Sequence, residues 1–243
     1  MTDVLIITGG SKGIGKAIAE KYTLENYSVF SISRTITPKA SYHQTIADLT
    51  NTTEVIASIE TIFSRIDLTT INSITLINNA GSLGEINSLG NLDSEKIQDV
   101  IQLNTTTPLI LSNQFISFTK SQSCKKQIIT ISSGAANNPY HGWSVYCSSK
   151  AAIEMMTKTI AAEQEKLTNG VQCIAIKPGV VDTNMQSYIR QTSKLDFQSV
   201  QRFIDLKENN QLYSPKFVAD KIFSLSTNTT IANGCLIDIR DLQ

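Results

Sequence analysis

The chain has 243 residues, 41% of them apolar and 17% charged, which suits one globular α/β domain with its own core. Lysine plus arginine equals aspartate plus glutamate at 21 each, so no overall basic field draws nucleic acid or an anionic membrane. No stretch approaches the ~18 apolar residues of a membrane span. No room is left before Val4 for a secretory signal, and Cys124, Cys147, Cys173 and Cys235 form no CxxC pair, so a cytoplasmic protein with reduced thiols and no metal is expected.

Taken in chain order, short β-branched runs alternate with longer stretches of helical periodicity. Val4 to Thr8 reads as a buried strand and Ile14 to Leu24 as the helix after it. Ser28 to Ser33 and His43 to Ala47 read as strands, and Glu54 to Ile66 as a helix with Val55, Ile59, Ile62, Phe63 and Ile66 on one face. Ile74 to Ile77 is a fourth strand, followed by a long helix over Ser94 to Thr119, interrupted at most by Pro108. Gln127 to Ile131 is a fifth strand, Tyr146 to Leu167 a second long helix, and Val171 to Ile176 a sixth strand. Ser214-Pro215 predicts an N-cap with proline at the first helical position, opening a helix to about Leu225; Leu236 to Ile239 is a last strand. The pattern predicts a single-domain, doubly wound α/β fold of the Rossmann type: seven parallel strands with helices on both faces. The polar stretch from Met185 to Gln211 breaks the rhythm after the sixth strand, where ligands sit in open α/β sheets, and is a candidate substrate lid.

The first strand runs into Thr8-Gly9-Gly10-Ser11-Lys12-Gly13-Ile14-Gly15. Glycines there let the backbone approach a phosphate, and the helix beginning near Ile14 would aim its free N–H groups at it. Gly10 to Lys16 also fits GxxxxGK, the start of an ATP-binding P-loop, but the following residue is Ala17 and not the Ser or Thr that would hold Mg²⁺. At the end of the second strand stands Ser33-Arg34, where a carboxylate would favour NAD. Arg34, with Lys12 in the loop, offers positive charge to a 2′-phosphate and favours NADP(H); each alone would read as a solvated surface cation.

Tyr146 and Lys150 stand at i and i+4, on one helical face. Reducing a carbonyl takes a hydride to carbon and a proton to oxygen. A phenol supplies the proton if a nearby ammonium brings its pKa down from about 10. Such a pair taken alone is common on helix surfaces. Ser133 ends the fifth strand, with Ser132 facing the other way.

These segments together resemble the short-chain dehydrogenase/reductase family over nearly the whole chain: the loop TGxxxGxG, Asn78-Asn79-Ala80-Gly81, Leu103-Asn104-Thr105, Ser133 thirteen residues before Tyr146, and Pro178-Gly179-Val180-Val181-Asp182-Thr183. The resemblance implies a catalytic tetrad of Asn104, Ser133, Tyr146 and Lys150. Ser133 polarises the carbonyl, Tyr146 gives the proton, Lys150 holds the nicotinamide ribose, and Asn104 kinks its helix and holds a relay water. It implies a cofactor site from Gly9, Ser11, Lys12, Gly13, Ile14, Gly15, Arg34, Asp48, Leu49, Asn79, Ala80, Gly81, Pro178, Gly179, Val181 and Thr183, with Asp48 at the adenine and Thr183 at the carboxamide. A homodimer or homotetramer joined through the two long helices is implied as well.

The run Asn138 to Cys147, with Asp182 to Gln186 and Gly234 to Asp238, is similar to sepiapterin reductases and more so to benzil reductases that form (S)-benzoin. That implies reduction of one carbonyl of a vicinal dicarbonyl, with Tyr140, Trp143 and Met185 lining an apolar pocket and Asp238 as the acid that anchors a pterin. Packing aromatics near a helix start and a strand-end surface acid are the plain alternatives. A non-catalytic NADP-binding sensor on the same fold is the rival class, and tight cofactor binding without turnover would favour it.

Overall fold

A computed structural model describes residues 1–242. Seven strands form one parallel sheet: β1 (Thr2–Thr8), β2 (Ser28–Ser33), β3 (His43–Ile46), β4 (Ile71–Asn78), β5 (Lys125–Ile131), β6 (Gln172–Lys177) and β7 (Leu236–Asp238), in the order β3-β2-β1-β4-β5-β6-β7. Strand order reverses between β1 and β4, so the crevice beyond their carboxyl ends is the place for a ligand. Within β1 the register sets Val4 beside Ser28 and Ile74.

Alternation along β1 splits the core in two. Val4 and Ile6 face one cluster with α2 (Thr52–Phe63), α4 (Thr107–Thr119) and α5 (Ser144–Gln164). Leu5 and Ile7 face another with α1 (Gly13–Leu24) and α8 (Pro215–Thr227). Because both faces are covered, Val4 to Ile7 of β1 reads as a continuous apolar run and not as an alternating one. The Ser214 hydroxyl accepts from the Phe217 N–H ahead of Pro215, the expected cap.

The expected long helix over Ser94 to Thr119 is two helices, α3 (Ser94–Ile101) and α4, joined by a wide π turn over Gln102–Thr106. The reason lies one turn downstream. Pro108 has no N–H for the carbonyl of Asn104, four residues before it, and its ring crowds that carbonyl. The distortion therefore lands on Asn104 and not on the proline.

The segment after β6 is also more ordered than its polarity predicts. It folds as α6 (Asn184–Gln191) and α7 (Val200–Glu208), and Ile189, Phe197, Val200 and Phe203 pack with Trp143 and Tyr146 in a third cluster. A parallel bridge of Val181 with Tyr213 pins the two ends of this excursion together, through Tyr213 N–H to the Val180 carbonyl and Asp182 N–H to the Tyr213 carbonyl.

Candidate active site

A cleft of about 960 Å³ runs along the carboxyl ends of β1, β2, β4, β5 and β6. At one end the β1–α1 turn supplies Gly9, Ser11, Lys12, Gly13, Ile14 and Gly15. Gly9 and Gly13 have φ of +73° and +56°, the left-handed region that glycine reaches without strain. No side chain caps the start of α1 and no acid lies in its first turn, so its N-terminal dipole faces the cleft unopposed. A Cβ on Gly13 would meet only the Thr183 methyl at 3.4 Å. This open, glycine-lined cradle at a helix N-terminus fits a dinucleotide pyrophosphate.

Arg34, Asp48 and Leu49 line the same end, Asn79, Ala80 and Gly81 the floor, and Pro178, Gly179, Val181 and Thr183 the far wall. The Ser33 hydroxyl is turned onto the Thr35 carbonyl. Asp48 accepts from the amide and hydroxyl of Thr50, which hold its carboxyl below the usual range, with Arg34 adding a smaller pull. Asn79 donates to the Thr8 carbonyl while its own amide bonds the Thr8 hydroxyl, clamping β4 to β1 at the crevice.

Ser133, Tyr146 and Lys150 meet in the middle of the cleft. Tyr146 and Lys150 come from the first two turns of α5 and are 7% and 5% exposed. The Lys150 Nζ donates to the Ile131 carbonyl at 2.8 Å and lies 5.7 Å from the centre of the Tyr146 ring. Asn104 does not line the cleft. It is buried behind it, where Nδ2 donates to the Ser82 carbonyl and the Ser149 hydroxyl, and Oδ1 accepts from the Ser82 N–H. A Cβ on Gly81 would sit 3.3 Å from the Asn104 Oδ1 and 3.6 Å from the Lys150 Nζ, so a side chain there would press on Asn104.

The electrostatics differ from the expectation that the ammonium brings the phenol down. Burial pushes Tyr146 up to about 12, with the Ser133 hydroxyl pulling the other way, and burial alone pushes Lys150 down to about 8. Desolvation disfavours the charged form of each group and is the largest cause of both shifts. Lys150 thus carries less charge in the fold than in the unfolded chain between pH 8 and 10.5, and stability rises with pH across that window. Relative to Lys150→Met, the native chain should gain roughly 2 kcal/mol between pH 7.5 and 9.5 in guanidinium melts. Parallel pH curves for the two proteins would contradict this.

Tyr140, Trp143 and Met185 line the remaining end of the cleft. Trp143 stacks on Phe197 at 4.6 Å and 11°, meets Tyr140 at 4.9 Å, and stands edge-on to Tyr146 at 5.6 Å and 79°. Asp238 is not part of the lining; both its oxygens are taken by Arg240, which lowers its pKa. It is Arg240 that reaches the cleft, together with Lys177, Arg202 and Phe203. Sequence reasoning missed these four. Phe203 was legible three residues after Val200 on one helical face; the cations carried no distinguishing signal.

A family model described as short chain dehydrogenase matches residues 3–194. The chain is 43% identical over 243 residues to a benzil reductase ((S)-benzoin forming) of Bacillus subtilis (strain 168), covering 98% of this chain and 99% of that one. It is 33% identical over 174 residues to a sepiapterin reductase of Bos taurus, covering 70% of this chain and 63% of that one. A crystal structure of a short chain dehydrogenase/reductase from Saccharomyces cerevisiae superposes with a TM-score of 0.84 at 25% identity, covering 99% of this chain and 97% of that one.

Proposed function

The chain belongs to the short-chain dehydrogenase family and is an oxidoreductase, and from that membership we propose that it is an NADPH-dependent carbonyl reductase of vicinal dicarbonyls. It would take a benzil-like 1,2-diketone to an α-hydroxy ketone. The observation that carries this reading is the aromatic wall of Tyr140, Trp143 and Phe203, backed by the buried Phe197, with Trp143 edge-on to Tyr146, which suits a planar aryl group beside the reacting carbonyl.

When bound, the nicotinamide supplies the hydride. Ser133 donates a hydrogen bond to the carbonyl oxygen and stabilises the charge that develops there. Tyr146, protonated across the neutral range, gives that oxygen its proton. Lys150 would hold the cofactor ribose, and Asn104 holds the Ser82 backbone and Ser149 in place behind it.

NADPH oxidation with benzil, with a second aryl 1,2-diketone and with sepiapterin tests the reading. Turnover of the diketones without sepiapterin supports it, sepiapterin alone favours a pterin reductase, and activity only on hydroxysteroids or acyl-carrier ketones overturns both.

Lys12 and Arg34 select NADP(H) through the 2′-phosphate. Lys12→Ala with Arg34→Ser should lower kcat/KM for NADPH by on the order of 10- to 100-fold, since two exposed charge-assisted contacts are lost. NADH should change only a few-fold; equal losses with both cofactors would refute the assignment. Among the described residues no helix is long and apolar enough to cross a membrane. We place the protein in the cytoplasm as a homodimer or homotetramer built on α4 and α5, whose exposed Leu109 and Met155 are apolar; light scattering reads the state directly.

A further inference from the structure

The substrate end of the cleft holds one charge that no neighbour neutralises. Arg240 is paired with Asp238, Lys177 with the buried Glu154, and Asp182 at the rim with Lys207. Arg202, on α7, has no carboxylate partner among the described residues. Its Nη1 donates to the Tyr140 hydroxyl at 2.8 Å, and its guanidinium lies 6.0 Å from the Tyr140 ring centre and 5.7 Å from that of Phe203. Two aromatic rings and a hydrogen bond therefore hold the group in place. The Nε and Nη2 edge takes no partner among the described residues. That leaves two parallel donors whose fork matches a carboxylate. Trp143 and Tyr140 stand in series between Arg202 and the phenol of Tyr146. A substrate lying along this wall has its reacting carbonyl at one end and its remote substituent at the other.

We propose that Arg202 reads a carboxylate on the part of the substrate remote from the reacting carbonyl, so that the preferred class is an aryl dicarbonyl bearing an acidic group. This rests on the aryl dicarbonyl reading above. Its particular content is the charge: a neutral diketone leaves the Arg202 fork facing water, and a carboxylated one closes it.

The test compares 4-carboxybenzil with its methyl ester, which keeps the size and the electron-withdrawing carbonyl but carries no charge. In the native protein kcat/KM should favour the acid roughly five- to tenfold, carried by KM, for one partly exposed charge-assisted pair. About 0.5 M sodium chloride should shrink the ratio. Arg202→Met should bring it to about one, and Arg202→Lys, which keeps the charge without the fork, should leave it between. Since Trp143 is the single tryptophan of the chain and lines the cleft, quenching of its emission gives the same ratio for binding, independent of turnover. An acid-to-ester ratio at or below one in the native protein, or one that survives Arg202→Met, overturns the proposal. Failure to turn over either compound while quenching still favours the acid through Arg202 would refute the reductase reading and leave the Arg202 assignment standing.

Discussion

Tyr146→Phe is expected to lower kcat for diketone reduction about a thousandfold, within the 10²- to 10⁴-fold that a positioned general acid contributes. The change removes one oxygen. The ring keeps its edge-on contact with Trp143 and its place 7% exposed in the cleft wall, so beyond its hydrogen bond with Ser133 the site loses only the proton donor. Burial, with Ser133 opposing it, holds the phenol near 12, so it is protonated at every pH at which the enzyme is assayed, and the loss should be uniform from pH 6 to 9 with no new limb in the profile. Steady-state rates with benzil give the effect, and NADPH titration confirms that the site is intact. Turnover within a few-fold of native would remove Tyr146 from its role.

Gly15→Ala should lower NADPH affinity by at least about 100-fold, equivalent to some 2.7 kcal/mol. An added Cβ would lie 2.3 Å from the Gly9 carbonyl oxygen and 2.4 Å from the Asn79 Nδ2. Neither neighbour is a flexible side-chain end. Gly9 is backbone in the left-handed region, and Asn79 is tied to Thr8. The methyl therefore moves the whole β1–α1 turn, and with it the amides that face the pyrophosphate. The measurement is the rise in melting temperature on adding NADPH, which should vanish. A variant that binds NADPH within threefold of native would show that the cradle lies elsewhere.

Much of this was legible in the sequence because the signals were local and redundant. The β1–α1 loop and the Tyr146–Lys150 pair follow from spacing, the NNAG segment at the end of β4 from the family resemblance, and the sheet from the alternation of β-branched runs with helical periods. What escaped was set by partners distant in sequence or by short elements. α6 buries only Gln186 and Ile189, too narrow a stripe to separate a helix from a polar loop. Asp238 looked free because its neutraliser, Arg240, had no visible reason to turn back on it. From the residues alone the long helix was expected to be interrupted at most by Pro108, while the family resemblance put a kink at Asn104; the π turn over Gln102–Thr106 falls on Asn104, because a missing N–H is felt four residues upstream. The pKa directions at Tyr146 and Lys150 depend on depth of burial, which no local pattern states.

The excursion after β6 leaves the frame at Val181 and rejoins it at Tyr213, with its two ends bonded to each other. None of its residues belongs to either cluster that packs the sheet between α1 and α8 or against α2, α4 and α5, apart from Val181 and Tyr213 at the hinge. Its buried apolar side chains pack on the rest of the molecule in the cluster around Trp143 and Tyr146, through Ile189, Phe197, Val200 and Phe203. Polar positions of residues 184–212 outside those four are therefore the ones that can change without loosening either sheet core or the seat of the phenol.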